Sequence, residues 1–153
     1  MEAMMDYDKQ YMAAAELTAA NSKDRSTKTG CVIVSPDHII RAVGYNSFPA
    51  GVHDLDDRHE RPEKYFWTEH AERNAIYDAA KRGVSLDGCT AYINWYPCMD
   101  CGRALVQSGV TAIVCREVNM DHEKYAADFR RAATLFAEAG IEVRFVVGEA
   151  DAA

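Results

Sequence analysis

His70-Ala71-Glu72-Arg73-Asn74-Ala75 and, further on, Trp95-Tyr96-Pro97-Cys98-Met99-Asp100-Cys101 decide how this chain is read. An imidazole nitrogen and two thiolates are a three-ligand set for Zn²⁺. They leave the fourth tetrahedral position to water, as catalytic zinc sites do. Glu72 lies two residues beyond the histidine, where a carboxylate can reach that water without ligating the metal. A Cys-x-x-Cys alone also fits a redox pair or half of a structural zinc ribbon, but a ribbon needs a second Cys or His pair. Cys31, Cys89 and Cys115 stand singly in apolar stretches and read as small core residues.

On both sides of the motif, helix and strand signals alternate. Met5 to about Ser22 has helical spacing of Tyr7, Tyr11, Ala14, Ala15 and Thr18. Gly30–Val34 and Ile39–Tyr45, joined through Pro36-Asp37, read as a β-hairpin. Asn46–Lys64 is polar and long for a loop, a length usually tied to function. Thr68 or Glu69 opens a helix to about Arg82 with Gly83 behind it. Cys89–Trp95 is a strand, and Pro97 starts a helix to about Ser108. Val110–Cys115 is a fourth strand, His122–Ala139 a last helix stopped by Gly140, and Ile141–Val147 a fifth strand; the final six residues read as frayed. The pattern predicts one domain over residues 1–153: an α/β, three-layer α/β/α sandwich with a five-stranded mixed sheet.

The chain has 153 residues, 48% apolar and 27% charged, which is the composition of a globular protein with a sizeable core. No apolar run reaches membrane-spanning length, and Met1–Asp6 has no basic signal-peptide start. A cytoplasmic protein without membrane contact is expected. A net charge of −7 argues against a nucleic-acid polymer as partner and leaves a small-molecule substrate. Five cysteines without a secretion signal read as reduced thiols and metal ligands.

Cys98 and Cys101, three apart, project from one side of a first helical turn, and His70 opens the other helix. Two helix amino termini then favour thiolate over thiol. Two thiolates cancel the zinc charge and leave its water less acidic than on a three-histidine site, so a nearby base is needed. Glu72 is the candidate, as general acid and base in a hydrolytic reaction. Backbone N–H groups near Ala71 and Cys98 are placed to orient the water.

Further stretches accompany the motif: Tyr11–Ala15, Asn21-Ser22-Lys23-Asp24, Thr29–Val34, Gly44-Tyr45-Asn46-Ser47-Phe48-Pro49-Ala50-Gly51, Lys64-Tyr65 and Gln107-Ser108-Gly109-Val110. With His-x-Glu and Pro-Cys-x-x-Cys, they make nearly the whole chain resemble the cytidine and deoxycytidylate deaminase superfamily, most closely its deoxycytidylate (dCMP) deaminase branch. The resemblance implies a cytidine deaminase-like fold and a homo-oligomer. It implies His70, Cys98 and Cys101 as zinc ligands, Glu72 as proton shuttle, and Asn46 as a substrate contact. The reaction implied is hydrolytic replacement of a ring amine, most closely dCMP to dUMP with release of ammonia. Ala71, Trp95, Tyr96 and Pro97 complete the candidate substrate-binding set.

The residues leave alternatives open. Asn46 also suits a left-handed turn, and Trp95 either narrows the site or is a core aromatic. Tyr65-Phe66-Trp67 either wall the pocket or pack at a helix start. Ser47, Asn94-Trp95-Tyr96 and the segment Arg116–His122 depart from the branch pattern. Arg116–His122 is expected to face the substrate. Arg25, Lys28, Arg58, Arg61 and Arg116 are candidate cations for a phosphate, and His53 and His59 with Asp54 or Asp56 a candidate second metal site. The alternative substrates are a free nucleobase, a nucleoside, or a guanine- or triazine-like ring. A binding module without catalysis is disfavoured by Glu72 standing with all three ligands.

Overall fold

The computed structural model describes residues 6–147. The expected helix start at Met5 and the frayed final six residues lie outside them. In chain order the elements are α1 (Tyr7–Ala19), β1 (Gly30–Val34), β2 (Ile40–Tyr45), α2 (Lys64–Trp67), α3 (Ala71–Arg82), β3 (Thr90–Ile93), α4 (Met99–Gln107), β4 (Ala112–Cys115), α5 (Ala126–Ala139) and β5 (Glu142–Phe145). A 3₁₀ turn, Asp56–His59, precedes α2. The sheet order is β2-β1-β3-β4-β5. β1 is antiparallel to both neighbours, and β3, β4 and β5 run parallel. The expected five-stranded mixed sheet and opening hairpin are both present.

β1 is buried along its whole length because both faces are covered. Cys31 and Ile33 join one apolar cluster with Ala71, Ala75, Leu105, Phe129 and Phe136, from α3, α4 and α5. Val32 and Val34 point the other way, to Tyr11, Met12 and Ala15 of α1. This period-two alternation is what makes a three-layer sandwich. Gly83 and Gly140 adopt the left-handed conformation at the ends of α3 and α5, as the sequence led us to expect.

Several boundaries differ from expectation, each for a tertiary reason. α3 starts at Ala71 and not at Thr68, because Ser47 and Glu69 exchange backbone hydrogen bonds of 3.1 and 2.8 Å that hold Glu69 extended. His70 thereby becomes the N-cap. Pro97 is not helical: Cys98 is the extended N-cap of α4. β3 stops at Ile93 because Asn94 turns its side chain back to accept from Gly30 N at 2.9 Å and donate to Lys28 O at 3.2 Å. α5 starts at Ala126, after a turn in which the His122 ring nitrogen accepts from the Lys124 amide at 3.1 Å. The long Asn46–Lys64 segment is partly ordered into the 3₁₀ turn, where Arg58 lies 3.7 Å above the Trp67 ring.

α3 lies directly on β2. A Cβ added at Gly44 would come within 2.4 Å of both Ala71 O and Ala75 N, so only glycine permits this approach. Gly44→Ala should therefore destabilise the fold by about 2–3 kcal/mol in denaturant unfolding, the upper range for overpacking against backbone. A loss below about 0.5 kcal/mol would mean that α3 is free to lift away from the sheet.

Candidate active site

His70 ends an extended segment and Cys98 ends the turn after β3, so both stand at helix amino termini. His70 Nδ1 lies 3.5 Å from Cys98 Sγ and 3.4 Å from Cys101 Sγ. A tetrahedral zinc with Zn–S of about 2.3 Å and Zn–N of about 2.0 Å has an N···S edge of about 3.5 Å, so the three donors fit the ion. They are the one cluster among the described residues with three or more metal-ligating side chains in mutual reach. Cys101 N also donates to Cys98 Sγ at 3.5 Å, so one sulfur serves as helix cap and candidate ligand.

The thiols share one proton. A hydrogen bond with Cys101 pulls the Cys98 thiol down to about 4, against desolvation and with help from His70. The same shared bond, then burial, pushes Cys101 far up. The His70 ring is raised by its bond to Cys98. Glu72, 4% exposed, sits beside this triangle. Burial raises its carboxyl, partly offset by the charge of His70. Burial and the nearby Glu72 push the thiol of Cys115 up to about 12 and that of Cys31 well above its usual range. Both stay neutral core groups, as the sequence suggested, and Cys89 is buried as well.

His70, Cys98 and Glu72 line a cleft of about 270 Å³, with Cys101 buried behind them. Of the expected substrate-binding residues, Asn46, Ala71, Trp95 and Tyr96 line it. Pro97 is fully buried and does not. Asn46 is not in the left-handed conformation of the turn reading. Its side chain accepts from Thr29 N at 2.9 Å and donates to Thr27 O at 2.8 Å, bracing one wall. Trp95 is 44% exposed, which rules out the core reading. Tyr96 is buried edge-on against Phe129, with its rim in the wall. Of the aromatic triplet before His70, only Tyr65 lines the cleft; Phe66 is 79% exposed.

The candidate cations divide. Arg61 lines the cleft. Arg25 pairs with Asp56 at 2.7 Å, and Arg58 covers Trp67. Arg116 does not line the cleft: its Nε donates to Glu16 at 3.0 Å. The wall expected from Arg116–His122 is built instead by Tyr125, Asp128 and Phe129, since the chain turns away after Cys115 and returns with α5. His53 and His59 form no metal cluster; the His59 ring hydrogen-bonds Asp54 and packs on Phe48 at 4.8 Å. The part of the wall built by Asp24 and Lys64, paired at 3.1 Å, was missed as a site feature. The Asp24-x-Ser26 spacing signalled it: Asp24 accepts from Ser26 N at 2.9 Å and Thr27 N at 3.0 Å, an Asx turn that holds its carboxyl at about 2 although desolvation opposes this.

Three donors that leave one tetrahedral position free, with a buried carboxylic acid alongside, define a zinc hydrolase. The cytidine and deoxycytidylate deaminase zinc-binding region matches residues 5–117. The "uncharacterized deaminase in luxG 3′ region" of Aliivibrio fischeri is 35% identical over 90% of this chain and 92% of its own length. Mouse deoxycytidylate deaminase is 31% identical over 92% of this chain and 79% of its own. The dCMP deaminase of cyanophage S-TIM5, solved with dCMP and dUMP, superposes with a TM-score of 0.74 at 27% identity, covering 95% of this chain and all of that one. The chain belongs to the cytidine and deoxycytidylate deaminase family. It is a zinc-dependent deaminase.

Zinc uptake must displace the proton that Cys101 keeps at neutral pH, whereas Cys98 is already ionised above about 4. Affinity should therefore rise by at least roughly tenfold per pH unit between about pH 6 and 8, with displaced His70 protons adding to the slope at the acid end. Chelator competition, corrected for the chelator's own protonation, measures this. A flat profile would mean that both thiols are ionised before the metal arrives.

Proposed function

We propose that the chain hydrolyses dCMP to dUMP and ammonia, with His70, Cys98 and Cys101 as ligands and Glu72 as the proton-transfer group. The observation that carries this reading is Glu72, buried beside the donor triangle with its carboxyl raised by burial. Zinc in this set supplies a Lewis acid and an acidified water. Glu72 takes a proton from the attacking water and gives it to the ring nitrogen next to the reacting carbon. It then passes the second proton to the leaving amine. A C–O bond forms, the exocyclic C–N bond breaks, and ammonia leaves. The amides at the starts of α3 and α4 orient the water and favour the negative charge that develops.

The phosphate half of the reading rests on the cleft mouth. Arg61 lies 6.0 Å from the Tyr65 ring and Lys124 5.1 Å from the Tyr125 ring, and both tyrosines line the cleft. Arg61 and Lys124 together hold the Tyr65 phenol below its usual range, although desolvation acts the other way. Cations that stabilise a phenolate there suit a substrate phosphate equally. The relatives named deoxycytidylate deaminase favour the same substrate. Trp95, Tyr96, Ala71 and the Asn46-braced wall would enclose the ring.

The proposal includes one working domain over the chain and a small-molecule partner in place of a nucleic-acid polymer. It also includes a cytoplasmic setting and a homo-oligomer, for which exposed Leu55, Tyr65 and Phe66 supply apolar surface. No helix among the described residues is long and apolar enough to cross a membrane.

Ammonia release should be fastest with dCMP in a panel that includes deoxycytidine, dCTP, cytosine, guanine and an aminotriazine. Inert cytosine compounds beside a reactive triazine would end the dCMP reading. Glu72→Gln should keep zinc and lose about 10²–10⁴-fold or more in kcat; wild-type turnover in that variant would remove Glu72 from the mechanism. Arg61→Ala should raise KM for dCMP roughly tenfold, the loss of one charge-assisted contact, and leave deoxycytidine unaffected. Equal losses on both substrates would place Arg61 outside phosphate recognition.

A further inference from the structure

The amino terminus of α4 presents backbone donors that need partners. Cys101 N donates to Cys98 Sγ at 3.5 Å, and Gly102 N to Cys98 O at 2.7 Å. Met99 N, the first helical amide, finds its partner on another helix: it donates to Oδ2 of Asp128, in the first turn of α5, at 3.1 Å. Asp128 is half-buried in the cleft wall.

This bond acts at a sensitive place. Met99 N belongs to the peptide plane whose orientation is the ψ of Cys98, 171° here. Holding that plane holds the direction in which the Cys98 side chain leaves the backbone, and so the 3.5 Å spacing from Sγ to His70 Nδ1. A second point fixes α4 against α5 within one turn of Met99, at Gly102. A Cβ at Gly102 would come within 3.1 Å of the Phe136 ring and 3.2 Å of Leu135. With the helices registered there, the Asp128 carboxylate is delivered to Met99 as a fixed acceptor.

We propose that Asp128 is a positioning residue for the metal ligand Cys98. It sets the start of α4 so that both sulfurs and the imidazole stand at ligating distances before zinc arrives. What this role requires is an acceptor oxygen at that point, not a charge. The inference rests on Cys98 being a ligand, as proposed above.

The test compares zinc affinity, by chelator competition on demetallated protein, for wild type, Asp128→Ala and Asp128→Asn. The alanine variant should bind zinc about 10–100-fold more weakly, the usual effect of losing a group that orients a ligand. The asparagine variant, whose amide oxygen can accept from Met99 N, should stay within about threefold of wild type. A residue that only staples α5 to α4 would lower the melting temperature of the zinc-free protein without this selective rescue. Wild-type affinity in the alanine variant overturns the proposal, and so does equal weakening in both variants, which would assign the effect to charge. Asp128→Ser, helix-compatible but too short to reach the amide, takes the place of the alanine variant if that one does not fold. A wild-type chain that binds no zinc would instead remove the ligand assignment itself, so the two failures are distinguishable.

Discussion

Two helix amino termini must meet at one point, and much of this structure is arranged to bring them there. α4 follows β3 after a short turn, so Cys98 is carried to the strand's carboxyl end by local geometry alone. α3 has the harder path, because β1 separates β2 from β3 in the sheet. Its start comes into place through the Ser47–Glu69 backbone bridge and the glycine contact of β2 with Ala71 and Ala75. Each helix start contributes a partial positive charge of about half a unit, and the thiolates stand where these fields add.

That convergence also sorts the five cysteines by electrostatics. Cys98 and Cys101 share a proton at the mouth of two helix dipoles, with Arg73, itself bonded to Glu69, close enough to feel their charge. Cys31 and Cys115 lie behind Glu72, in the apolar core, where burial and the carboxylate both oppose ionisation. A thiolate there would be an unpaired buried charge, which costs several kcal/mol. Burial and Glu72 act on Cys101 as well, so what sets the ligand pair apart is the bond between its two sulfurs and their closeness to His70. Glu72 itself is buried for the same reason it is useful: burial raises its carboxyl, and a raised carboxyl is a stronger proton acceptor.

What was legible in the sequence was whatever short-range chemistry decides. The apolar run Gly30–Val34 read as a strand, Gly83 and Gly140 stopped their helices, and the motif spacing brought His70 to Cys98 and Cys101. The features that escaped depend on partners far along the chain. No local signal tells Thr68–Glu69 to stay extended, because the instruction comes from Ser47. Arg116 looked free beside strand four, yet Glu16, on the opening helix, draws it away. Asp128 carries no local signal inside the helix expected from His122, and only the start of α5 at Ala126 and its packing on α4 turn it toward Met99.

Net charge was the weakest guide, and the cleft mouth explains why. The value of −7 is an excess summed over the whole chain, and it does not describe the cleft, where Asp24 is paired with Lys64; beyond the cleft lining, Asp56 is likewise paired with Arg25, and Asp54 with His59 and Lys23. Among the described residues Arg61 pairs with no carboxylate; it reaches the Ser26 hydroxyl at 3.5 Å and the Tyr65 ring. Screening over about 8–10 Å hides distant charges from a ligand in the cleft, so the few groups within that radius decide its affinity. An acidic protein can therefore present a cationic rim to a small anion while repelling a polyanion that spans its whole surface. The chemistry at the cleft floor is common to the family. On the reading proposed above, selection among ring-bearing substrates would fall to this rim and to Trp95, which stands half-exposed at the end of β3 because Asn94 is turned back to β1.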